Sequence, residues 1–280
     1  MRWLPVAAVF LAVASQGVAQ QAVAEEAPFP RNPQIDIEYA APANPRFQLR
    51  HDRMKQLRTL ELLQEFLSPL KLPHKLTVRM AECGGEQTVA YDRDKRVVTI
   101  CYEYIAAIDA NSPAEGIVLF GSGRKLTAQQ TVVGAVVHLM LHQTAYGVFD
   151  MLEIPLWGRL EDAVDNTAGF LMLEFGEEVA WTTLLGSAWF MAQRGILGTG
   201  FFTDTTRPSE AQRFYNFLCL AYGAQEKTYA FLVNNFNLPQ GRARYCRQDY
   251  LKVRAAFRDV FMVHMDRTLL AQVQKRKWLP

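Results

Sequence analysis

His138-Leu139-Met140-Leu141-His142 sets two imidazoles four positions apart. On a helix such residues stack one turn above each other on one face, so both rings reach a single metal ion. The pattern is that of the zinc helix H-E-x-x-H, where the glutamate after the first histidine takes the proton of the attacking water. Here that position is Leu139. The histidines point to a metal, and the leucine removes the base that hydrolysis uses.

The flanks agree with a helix. Thr127-Ala128-Gln129-Gln130 reads as a capping box, with Thr127 at the cap and Gln130 reaching back. Val133, Val136, Val137, Met140 and Leu141 then make the segment apolar almost all round, as in a buried helix. His138 and His142 are its principal polar groups and need partners, of which a metal is one.

A second segment, Glu161-Asp162-Ala163-Val164-Asp165, begins 19 positions after His142. His138, His142 and Glu161 make a zinc-ligand set of the His, His, Glu type, which leaves a fourth position open as catalytic sites do. Asp165, one turn on, is placed to hold a ligand histidine by its other ring nitrogen. Two blander readings stand beside this one. The acidic residues are then the solvated face of an amphipathic helix, or the four side chains form a metal-free histidine–carboxylate cluster.

The spacing resembles that of gluzincins, and a closer resemblance covers most of the chain. Four stretches carry it: Cys83-Gly84 with Ile100 to Glu103; Val133 to His142; Gly158 to Asp165; and Gln212 to Asn216 with Cys219, Tyr222-Gly223, Arg242-Ala243 and Cys246. They are similar to the bacterial metallopeptidase family known as domain of unknown function 4344. The resemblance implies an exported protein of zincin-like α+β fold, with peptidase activity inferred from the motif. This chain departs from the family at Leu139, where glutamate is expected. It also lacks an acidic–histidine pair in Phe202-Thr203-Asp204-Thr205-Thr206.

The first residues read as a secretory signal, residues 1–24. Met1-Arg2 is a short positive region, Trp3 to Ala14 an apolar run, and Gly17-Val18-Ala19 or Ala22-Val23-Ala24 a small-residue cleavage site. The run is too short for a membrane span of about 20 residues, and no stable membrane anchor is expected. Export to the periplasm or medium makes the four cysteines intelligible as disulfides. Of three pairings, Cys83–Cys101 and Cys219–Cys246 are favoured, because each pair flanks a local hairpin-like unit. Each loop would contribute about 3 kcal/mol in the chain-entropy model.

The 280 residues carry 30 Lys and Arg against 28 Asp and Glu, a formal charge of +2. Near-neutral balance without a basic stripe excludes nucleic acid as a partner. The cluster Arg242, Arg244, Arg247, Lys252 and Arg254 reads as a solvated helix face.

Residues 25–47, rich in Ala, Pro and Glu, read as a flexible leader, and 48–280 as one domain. Apolar residues at three and four spacing predict a helix over His51 to Leu70. Leu76 to Ala81, Gln87 to Tyr91 and Arg96 to Tyr102 predict a small antiparallel sheet, with a helix starting near Tyr102. Ala114 to Leu126 reads as loop around Gly121-Ser122-Gly123. Helices follow over Gly158–Phe175, Glu178–Arg194, Ser209–Tyr222, Glu226–Asn234 and Gly241–Leu270. Gly195 to Pro208 is the longest expected loop, and Trp181, Trp189, Phe190, Phe201 and Phe202 read as core packing.

The expected protein is thus an exported zinc-binding metallopeptidase homologue, impaired at Leu139, with a peptide or protein ligand in its cleft. Two alternatives are kept: a peptidase drawing its base from Glu103 or Glu174, and a metal-free, non-enzymatic binding scaffold.

Overall fold

The computed structural model describes residues 29–119, 121–197, 208–234, 237–276 and 278. The signal segment, Phe201, Phe202, the Phe202–Thr206 stretch and most of the Gly195–Pro208 loop lie outside the described residues. The architecture is α+β: a four-stranded sheet and a two-stranded hairpin, followed by a helical C-terminal half.

The sheet begins earlier than expected. Strand β1, Ile35–Tyr39, lies inside the segment expected to be a flexible leader and pairs along its length with β2, Leu76–Ala81. Its alternation of Ile35, Ile37 and Tyr39 with Asp36 and Glu38 covers only five residues among prolines, too short to outweigh the composition. Asn32 ties the approach down by donating to the carbonyls of Leu67 and Leu70 at 2.6 and 2.7 Å.

The sheet is also not antiparallel throughout. Its order is β1-β2-β4-β3, with β3 at Val89–Asp92 and β4 at Val97–Cys101. β1–β2 and β2–β4 are parallel, and only the β3–β4 hairpin is antiparallel. Two helices, α1 (Gln48–Gln56) and α2 (Thr59–Phe66), provide the crossover that parallel pairing of β1 and β2 needs. They replace the single helix expected over His51 to Leu70. The break falls at Arg58, left-handed at φ 53°, and the Tyr39 hydroxyl accepts from Leu60 N–H at 2.7 Å while donating to Glu61. A cap supplied by a strand residue 21 positions away has no local sequence signature.

Helix α3, Tyr102–Asn111, follows β4 directly. The expected loop over Ala114 to Leu126 contains a hairpin, β5 (Ile117–Leu119) and β6 (Arg124–Leu126), turned by Gly121 and Gly123 at positive φ. Three-residue strands are too short to show a period.

The histidine-bearing helix α4 spans Ala128–Met151 with both halves of its capping box formed. By length and composition it is apolar enough to cross a membrane, but 78% of its most apolar window is buried in the fold. Against it pack α5 (Leu160–Glu174) and α6 (Glu177–Leu197), and α7 (Glu210–Ala224) packs on both of these. The expected helix over Glu226–Asn234 is only a 3-10 turn at Ala230–Leu232. The last expected helix is interrupted: α8 (Gln240–Phe261) ends in a 3-10 turn, and α9 (Arg267–Lys275) restarts under an Asp266 cap. Pairing of Leu70 with Met265 stitches that break to the chain after α2.

Disulfides join Cys83 to Cys101 and Cys219 to Cys246, the pairing read from the sequence. The first ties the chain after β2 to the end of β4, and the second ties α7 to α8.

α4 and α6 touch backbone to backbone. A Cβ at Gly134 would lie 2.7 Å from Gly186 Cα and from the Thr182 carbonyl oxygen, and Ser187 Oγ donates to Gly134 O at 3.0 Å. Gly134→Ala therefore overpacks a contact made of main chain, which cannot rotate away. A loss of about 1–3 kcal/mol is expected, read as a fall of roughly 2–10 °C in melting temperature. An unchanged melting temperature would mean that the two helices slide apart at no cost.

Candidate metal centre

Helix α5 returns against α4 after a short connection, and its first turns face the two histidines. The contacts pair as in an antiparallel helical hairpin. His142 Nε2 lies 3.2 Å from Glu161 Oε2, and one turn back along α4 and one turn on along α5, His138 Nε2 lies 3.3 Å from Asp165 Oδ1. Both sequence pairs, His138/His142 and Glu161/Asp165, have the i, i+4 spacing that presents two side chains to one neighbour. All four are buried, at 1–5% exposure. The solvated-face reading of Glu161 and Asp165 is therefore wrong, though Asp162 does face outward to Arg159.

Asp165 is more central than the sequence suggested. Its Oδ1 also lies 2.8 Å from His142 Nδ1, close enough for an ion pair though not aligned as a hydrogen bond. Arg213, from α7, grips both its oxygens, with Nε to Oδ2 at 2.7 Å and Nη2 to Oδ1 at 2.8 Å. His138, His142 and Asp165 offer ligand atoms that all lie within 4.8 Å of one another, a set able to hold a metal ion. Glu161 meets His142.

The electrostatics follow from burial set against these contacts. Burial pushes the His138 imidazole down to about 4, against the pull of Asp165. Burial acts on His142 in the same sense, but its contacts with Asp165 and Glu161 outweigh it and carry the ring above its ordinary value. Burial would raise Asp165, yet Arg213 and the two histidines hold it well below the usual carboxylate range. Arg213 is raised in turn, since Asp165 and Glu210 overcome its own desolvation.

A polar cleft of about 90 Å³ opens onto this cluster. His138, Leu139, His142, Gln143, Glu161 and Arg213 line it, and Asp165 does not. Leu139 thus stands at the cleft, 8% exposed, beside the histidines. Neither Glu103 nor Glu174, the bases expected as alternatives, lines the cleft. The Glu103 carboxylate accepts the backbone N–H groups of Cys83 and Gly85 and fixes the turn after β2. Glu174 borders an apolar groove between α2 and α8, where Gln274 donates to it.

The profile of domain of unknown function 4344, described as "putative metallopeptidase", matches residues 39–261. The chain belongs to this family. Membership points to a metal-dependent, peptidase-like protein, in accord with a buried donor set beside a cleft. No curated protein and no solved structure matches the chain.

The donor set fits the metal of such a family. Zinc takes imidazole nitrogens and carboxylate oxygens, and here two imidazoles and a carboxylate bring such atoms within 4.8 Å of one another. His138 Nδ1, buried without a hydrogen-bond partner, shows that the protein's own groups leave the cluster incompletely satisfied.

Arg213, Glu210, Gln143 and Arg194 were not singled out from the sequence as site residues. Arg213 falls in the stretch that carries the family resemblance, but a partner 48 residues away obeys no spacing rule.

Two outcomes test this picture. Arg213→Met leaves Asp165 as a buried charge without its cation, so a loss of about 3–5 kcal/mol is expected in the metal-free protein. Chemical unfolding measures it, and a change below about 1 kcal/mol would mean that water compensates Asp165. Second, a proton titration of the metal-free protein by NMR should show His138 still neutral at pH 5 and His142 titrating above an ordinary histidine. His138 is depressed below its unfolded value near 6.5, so as pH falls the unfolded chain takes the proton first. Its contribution to stability is therefore lost between about pH 6.5 and 4. His142 has the opposite sign: its contribution is present below 6.5 and lost as pH rises through its raised value. Titration of both rings together near 6.5 would contradict the assignment.

Proposed function

We propose that this protein is an exported zinc-binding metallopeptidase homologue whose hydrolytic step is impaired at Leu139. The observation that carries the reading is the side chain at the cleft: an apolar leucine directly follows a buried histidine, where the H-E-x-x-H pattern requires a carboxylate.

His138, His142 and Glu161 would hold the ion, because all three line the cleft. Asp165, with both oxygens on Arg213, stands behind them and meets His138 Nε2 at hydrogen-bond distance. Zinc in such a site supplies Lewis acidity toward a peptide carbonyl and acidifies water. Leu139 neither accepts a proton nor orients a water, and loss of a general base costs about 10² to 10⁴ in rate.

Among the described residues, a base from elsewhere finds little support. Glu210 lines the cleft, but Arg194 and Arg213 engage both its oxygens. The two disulfides suggest an oxidising, extracytoplasmic location, and with the apolar N-terminal run they support export. A peptide or protein is the ligand that such a cleft would receive, and the near-neutral charge speaks against nucleic acid.

Metal analysis and peptide turnover test the reading together. The purified protein should carry about one zinc per chain, lost in His142→Ala, and Leu139→Glu should raise zinc-dependent peptide hydrolysis at least about tenfold. A metal-free wild type would favour the non-enzymatic scaffold. Robust wild-type turnover, or equal activity in both proteins, would remove Leu139 from the reaction centre.

A further inference from the structure

Arg194 stands on the last turns of α6, at the rim of the cleft. Its described contacts fix the guanidinium from several sides. Nε donates to Glu210 Oε1 at 3.1 Å and Nη1 to the Tyr104 hydroxyl at 2.7 Å, while the rings of Tyr104 and Phe190 each lie 5.8 Å away. A guanidinium has five N–H donors in a rigid planar fork, and these bonds use two. Such a group is held in place before any ligand arrives, so little side-chain entropy is lost when it binds one.

The spare donors of Arg194 point to the sign of the ligand, since a guanidinium accepts no proton donor and pairs best with a carboxylate. Size points the same way. A space of about 90 Å³ is well below the roughly 300 Å³ of pockets for drug-sized ligands, and suits one small residue. Glu210 already shows what the two arginines accept: its carboxylate bridges Arg194 and Arg213.

Building on the zinc-binding cleft proposed above, we infer that Arg194 makes the cleft selective for the free C-terminal carboxylate of a short peptide over a chain interior. The planar fork matches a carboxylate, and an amide in its place forfeits the charge-assisted pairing.

The test measures binding of N-acetyl-alanyl-alanine and of its C-terminal amide to the zinc-loaded full chain by calorimetry. The acid should bind at least about tenfold more tightly than the amide. Arg194→Gln should bring the two within about twofold at unchanged zinc content, and Arg194→Lys should keep part of the preference. Equal binding of acid and amide by the wild type overturns the inference, as does failure to bind either at millimolar concentration. A preference that survives in Arg194→Gln also overturns it, since the carboxylate would then sit on the metal. If the wild type takes up no zinc, the metal reading fails instead. The same comparison in metal-free protein then decides about Arg194: a preference abolished by Arg194→Gln sustains its role, and no preference ends it.

Discussion

The Asp165–Arg213 ion pair lies where three helices meet. Asp165 comes from α5, Arg213 from α7, and the histidines that Asp165 touches come from α4. Removing two charges from water costs several kcal/mol per ion, and a bidentate geometry is what lets their attraction offset that cost. An ion pair of this kind adds little net stability compared with apolar packing, but it tolerates no slippage. If α7 moved by one turn, Asp165 would be buried without its cation and both imidazoles would lose their orientation. The pair therefore sets the register of α5 and α7 against α4, and the geometry of the donor set depends on that register.

The surrounding packing keeps this arrangement fixed. Gly134 and Gly186 bring α4 and α6 into main-chain contact, and the Cys219–Cys246 disulfide ties α7, the source of Arg213, to α8. On the other side of the cleft, Cys83–Cys101 and the Glu103 carboxylate brace the turn leading to Gln87, Thr88 and Val89, which line the cleft wall. The donor set is thus built on helices and braced turns.

Much of this was legible in the chain because it is local. The histidine pair, the acidic pair, the capping box at Thr127 and Gln130, and the start of α3 at Tyr102 all follow from spacings within one or two helical turns. The disulfide pairs each close a short segment. What stayed illegible was supplied across the chain. The strand Ile35–Tyr39 shows itself only by pairing with β2, the break at Arg58 is sustained by a tyrosine from β1, and the kink before α9 is held by the chain after α2.

The sequence by itself determined the candidate ligands, the leucine after His138 and the α+β class, since helical periodicity and residue chemistry are properties of neighbouring positions. Only the tertiary structure decided that Asp165 sits between both histidines under Arg213, that Glu103 and Glu174 lie away from the cleft, and that Arg194 and Glu210 border it. The physical reason is that a buried charge is satisfied by whichever partner the packing of helices delivers, and that partner has no fixed distance along the chain.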